Sequence, residues 1–68
     1  MGLDVLELRE NFPKGTKIRL IEMVKEDNMP SGLEGVVNHV DDFGNIHVLW
    51  SNGSTLNLLP DVDKFEVI

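Results

Sequence analysis

The chain has no cysteine and no tyrosine, one tryptophan, two histidines and only six basic residues among its 68. Without cysteine, neither a disulfide framework nor a thiolate metal site is open to it, and such a composition suits a reducing, cytoplasmic setting. No apolar run approaches the ~20 residues of a membrane-spanning helix, so no membrane segment is expected. Met1-Gly2 begins a myristoylation signal that Leu6 leaves incomplete, because that position calls for Ser or Thr. The scarcity of positive charge excludes more. Twelve acidic residues against six basic ones give a net charge of −6, whereas nucleic-acid binding draws much of its affinity from Lys and Arg on phosphates. A nucleic-acid partner is therefore not expected. Length sets a further bound: a chain this short holds one core and buries only roughly 60% of the surface its unfolded form exposes.

What is present is alternation. Over residues 46–58, apolar and polar side chains alternate on both sides of Ser51-Asn52-Gly53, as in an antiparallel hairpin. A two-residue loop at Asn52-Gly53 would set Val48 against Asn57. A three-residue loop sets Val48 against Leu56 and Ile46 against Leu58. A slip of one residue turns a strand inside out, so the three-residue loop is expected, with Gly53 left-handed in a G1 bulge. Asp42-Phe43-Gly44 repeats the pattern, pairing Val40 with Ile46 and leaving Gly44 left-handed. Continued further, that register would bury Asn38 beside Val48. A bulge near Asn38, with Val37 inward, is the expected remedy.

Residues 1–12 read as a short helix, with Leu3 and Leu6 on one stripe and Val5, Leu8 and Phe12 on an adjoining one. Pro13 ends it by pushing Phe12 out of helical geometry. A helix this short is marginal alone, so it is expected to pack on the rest of the chain. Leu3 or Val5 is then left over for weak self-association, giving a monomer or weak homodimer. Residues 13–68 supply five strands, at 17–23, 34–41, 45–50, 54–58 and 64–68. A polar loop, Val24–Leu33, follows the first strand and a tight turn, Pro60-Asp61-Val62-Asp63, precedes the last. The expected fold is mainly β, a five-stranded SH3-like barrel with a short N-terminal helix. Its core should hold Ile18, Leu20, Val37, Val40, Ile46, Val48, Trp50, Leu56, Leu58, Phe65 and Val67.

From Phe12 to Ile68 the chain resembles a family of small SH3-like domains of unknown function found in bacteria and phages. The likeness is carried by Phe12-Pro13-Lys14-Gly15-Thr16, Glu34-Gly35-Val36-Val37, Ile46-His47-Val48-Leu49-Trp50, Asn52-Gly53, and the run from Pro60 to Ile68. The resemblance implies a fold and brings no catalytic residues with it. Gly35-Val36-Val37 is also similar to the KOW-type barrels of ribosomal and transcription proteins.

Chemistry is sparse. No carboxylate pair or Ser/His/Asp arrangement stands out, so an enzyme is not expected. In the expected register His39 and His47 lie opposite each other, with Asn57 extending a polar stripe across the outer face. Two histidines fall short of the three or four ligands zinc takes, and no metal or other cofactor is expected. Asp41-Asp42, Asp61 and Asp63 lack the interleaved spacing of a calcium loop and read as solvated turns with a capping Asp61. Phe43 stands at a loop tip where the hairpin needs no apolar residue, and Met29 in a polar loop. Together with His39, His47 and Asn57, these are the expected contacts of a non-catalytic protein-interaction module whose partner is an unknown protein or peptide. The second reading is a nucleic-acid-associated barrel of KOW type using Lys14, Lys17, Arg19 and Lys25.

Overall fold

Asp4 opens helix α1 (Val5–Asn11): its backbone is extended and its carboxylate accepts the Leu6 N–H at 2.9 Å, as a short acidic side chain does at a helix start. The computed structural model describes residues 4–24 and 29–68. At the far end the Phe12 N–H closes the last turn on the Leu8 carbonyl, with Phe12 itself outside helical geometry. Leu8 is fully buried in the core, with Val5 and Phe12 packed half-buried beside it. Of the two apolar stripes, the Val5–Leu8–Phe12 stripe therefore faces inward. Val5, expected as free surface, packs instead, and Leu6 is the residue left outside, 65% exposed. Leu3 lies outside the described residues.

Among the described residues four antiparallel strands, β1 (Lys17–Glu22), β2 (Glu34–Val40), β3 (Ile46–Trp50) and β4 (Lys64–Val67), form one sheet in the order β3-β2-β1-β4. The sheet does not close on itself. Both three-residue loops form as expected: Val40 pairs with Ile46, Ile46 is bridged to Leu58, and Gly44 and Gly53 have φ of 84° and 86°. The bulge near Asn38 also forms, since Val37 faces Val48 while His39 faces His47. Its cause is spacing. Val37 and Val40 are three residues apart and Ile46 and Val48 two, so one extra residue must be absorbed for all four to face inward. A second irregularity between Leu20 and Glu22 absorbs Ile21 in the same way against β4.

The expected strand at 54–58 keeps its register but not its ladder. The Trp50 N–H donates to the Ser54 carbonyl at 3.2 Å, and Ile46 and Leu58 exchange bonds of 2.9 and 2.8 Å. Between those points the Leu56 carbonyl accepts the Trp50 indole N–H at 2.9 Å and the Leu56 N–H donates to Ser54 Oγ at 3.3 Å. Side chains thus take the backbone groups that a ladder opposite Val48 would use. Four strands and one bridged segment stand where five strands are expected, and Leu56 turns out of the core, 38% exposed. Val67, paired with Ile18 on edge strand β4, is also exposed rather than buried.

Among the described residues the core holds Leu8, Ile18, Leu20, Met23, Met29, Val37, Val40, Ile46, Val48, Trp50 and Leu58, with Leu33 and Phe65 partly buried against it. Met29 is the sharpest correction. Rather than standing exposed in its loop, it is buried with Met23. The loop's end is fastened to β1, where the Leu20 N–H donates to the Leu33 carbonyl and the Gly32 N–H to the Leu20 carbonyl, both at 2.7 Å. The flexible thioether then fills an irregular gap.

The cap of the last turn is Asp63, not Asp61. Asp63 is buried, and its carboxylate accepts the Val24 N–H at 3.1 Å and the Leu59 N–H at 2.9 Å, tying the end of β1 to the approach to β4. Asp63→Ala would strand both donors, so we expect it to lower unfolding free energy by about 2 kcal/mol. Chemical denaturation measures this, and a variant indistinguishable from wild type would show that water replaces the carboxylate freely.

Candidate functional site

The β2–β3 turn is built around one carboxylate. Asp41 Oδ1 accepts the Phe43 N–H at 2.9 Å and the Asn45 N–H at 3.0 Å, while Oδ2 lies 2.9 Å from His47 Nε2. An ionised carboxylate only accepts, so His47 Nε2 carries the proton in this contact. The backbone closes the same turn, with the Asp41 N–H on the Asn45 carbonyl and the Gly44 N–H on the Asp41 carbonyl. Helix α1 holds it from below. Arg9 donates to Asp42 at 2.7 Å and to the Val40 carbonyl at 3.1 Å, and a Cβ built on Gly44 would lie 3.5 Å from Leu8 Cδ1.

These donors, the His47 ring first and then the Asn45 and Phe43 N–H groups, lower the Asp41 pKa from 3.8 to about 2 against the opposing pull of burial. A carboxyl with a depressed folded-state pKa stabilises the fold fully above its unfolded value, and the contribution fades as pH falls through the folded one. Stability should therefore drop between about pH 4 and pH 2 by an amount that Asp41→Asn reduces. Thermal melts of both proteins across that window check it; parallel pH profiles would remove Asp41 from the acid transition.

Phe43 stands at the tip of this fixed turn, 89% exposed. Beside it lies a cleft of about 240 Å³ bounded by Leu8 of α1, Phe43, Gly44 and Asn45 of the turn, and the Leu59–Val62 segment. Phe43 is legible in the sequence as a contact residue, and the other walls are not. Pro60 signalled the Leu59–Val62 turn, yet nothing local says that this turn meets α1.

The remaining site expectations fare unevenly. His39 and His47 do face each other, rings stacked at 4.1 Å and 14°, because the bulge falls just beyond the pair. Asn57 is exposed, and the Ile46–Leu58 bridge sets it level with His47. Met29 is withdrawn into the core and cannot serve as a contact. Of the basic residues, Lys14 and Lys17 are exposed, Lys25 lies outside the described residues, and Arg19 is engaged by Glu66 at 3.2 Å and Glu34 at 3.8 Å. A second cleft, of about 230 Å³, lies on the outer sheet face, where Leu49, Val36, Lys17 and Ile68 follow one another across the strands. Among the described residues no group of three or more His, Asp and Glu side chains is placed to hold a metal, and no helix is long and apolar enough to cross a membrane.

Residues 3–68 match the model of a family described as Domain of unknown function (DUF4314). No curated protein and no solved structure matches the chain.

Proposed function

The chain belongs to the DUF4314 family, whose description assigns no activity, and from that premise we propose that it is a non-catalytic protein-interaction module of SH3-like plan, bacterial or phage-borne and cytoplasmic. The SH3-like reading draws support from the order of the sheet. The last strand lies beside the first, followed by β2 and β3, with segment 54–58 bridged to β3 and a single turn before β4.

The observation that carries the interaction reading is Phe43. A large aromatic held almost wholly in water, on a turn fixed by Asp41 and Arg9, is pre-organised for contact. Its backbone is already ordered, so little further entropy is lost when a partner covers it. Burying a phenylalanine side chain is worth about 1.5–3 kcal/mol. Of the four cations that the KOW-type alternative would use, Lys14 and Lys17 are exposed, Arg19 sits between two glutamates, and Lys25 lies outside the described residues.

The test is affinity capture from the native host with wild type and Phe43→Ala in parallel. The variant should fold as stably as wild type, within about 0.5 kcal/mol, because the side chain is on the surface. Proteins retained by wild type and lost by Phe43→Ala support the reading, and identical sets overturn it. Generic RNA and DNA should not bind tightly at physiological salt. A micromolar affinity that weakens steeply with added salt would instead favour the KOW-type module.

A further inference from the structure

We propose that the cleft beside Phe43 takes an extended segment of a partner protein bearing an apolar anchor next to a lysine or arginine, the anchor seated among Leu8, Leu59, Pro60 and Val62 and the cation facing Asp61 and Asp42. This rests on the interaction reading above and names the chemistry of the partner. At about 240 Å³ the cleft falls below the ~300–1,000 Å³ of sites for drug-sized ligands and cofactors, and matches one or two side chains. Leu8, Phe43, Leu59, Pro60 and Val62 supply its apolar surface, and Asn45, Asp61 and backbone atoms line it with nearly as much polar surface.

Asp61 lines the cleft, Asp42 adjoins Phe43 with its side chain 91% exposed, and Glu7 is exposed on α1 beside Leu8. Arg9, bonded to Asp42 and to the Val40 carbonyl, offsets one of these three acids and leaves Asp61 and Glu7 in excess. The rim is thus acidic, on a chain of net charge −6. A second copy would bring the same acids to the same rim, and like charges across a contact oppose it. A basic segment meets no such opposition. The outer-face cleft gives no comparable direction, since Lys17 and Glu34 both line it.

The experiment screens a displayed library of random linear peptides on the full chain, with Phe43→Ala and Asp61→Lys as counter-targets, then measures the selected peptides in solution. The expected ligands combine a large apolar residue with Lys or Arg. Phe43→Ala should weaken them at least about tenfold, as loss of a central anchor does. Asp61→Lys should weaken them by about threefold or more, less so at raised salt. Ligands that depend on Phe43 but carry no cation, or ignore Asp61→Lys, would overturn this inference and leave the interaction reading standing. A screen yielding no Phe43-dependent ligand would overturn both. Sedimentation of the free protein supplies the last arm: a dimer abolished by Phe43→Ala would give the cleft to a second copy and overturn the proposal.

Discussion

Replacing Gly35 with alanine should destabilise the protein by about 3 kcal/mol, the upper part of the range for overpacked cores. Gly35 is buried in β2 and paired with Trp50 of β3. A Cβ added there would meet Val48 Cγ1 at 2.6 Å, Trp50 Cε3 at 2.9 Å and the Leu49 carbonyl at 3.1 Å. None of these can easily yield. Val48 and Trp50 are buried, the indole is tied to the Leu56 carbonyl, and the third contact is backbone. Packing is what requires glycine here, because Gly35 is not among the residues of positive φ. Where space allows, Gly→Ala stabilises by restricting the unfolded chain, so the sign of the effect separates the two accounts. A domain of this size has about 3–10 kcal/mol of stability in all. The loss should therefore lower the melting temperature by about 10–20 °C, and a variant as stable as wild type would show that β3 shifts to make room.

Leu8→Ala should remove about 3 kcal/mol, while Leu6→Ala, two positions away on the same helix, should change little. Leu8 is 1% exposed and belongs to the core, so its truncation leaves a cavity beneath the β2–β3 turn. Leu6 has no such surroundings. Urea denaturation of the pair gives the difference directly, and equal effects would contradict the packing of α1 described above. Deleting residues 1–11 should lower stability at least as much as Leu8→Ala. A truncated protein melting at the wild-type temperature would mean that the helix adds nothing to the fold. Because Leu8 also forms the floor of the Phe43 cleft, Leu8→Ala should weaken any ligand bound there, whereas Leu6→Ala should not.

The legible part of the fold is the part decided by neighbours in sequence. Val40 against Ile46 and Ile46 against Leu58 follow from period-two alternation and from glycine at the third loop position, and the bulge at Asn38 follows from two unequal apolar spacings. Phe43 was legible for the same reason, since a hairpin tip gives an aromatic nothing local to pack on. The stacked histidines follow from register once the bulge is placed.

Other features depend on residues that meet only when the chain is folded. The Trp50 indole and the Ser54 hydroxyl take the backbone groups of Leu56, so a segment with strand alternation fails to complete a strand and Leu56 is left outside. Met29 is surrounded in sequence by polar residues, and only the return of its loop to β1 shows that it fills the core. Asp63 takes the cap assigned to Asp61 because its carboxylate reaches the Val24 N–H, 39 residues away. Arg19 loses its place in a basic patch through Glu66 of β4 and Glu34 of β2, cross-strand partners that no local pattern reveals. Alternation and turn chemistry act over a few residues, so register, turn geometry and bulge are legible without the fold. Cavity filling, capping across the chain and the walls of the Phe43 cleft are contacts between distant segments, which exist only once the chain has folded.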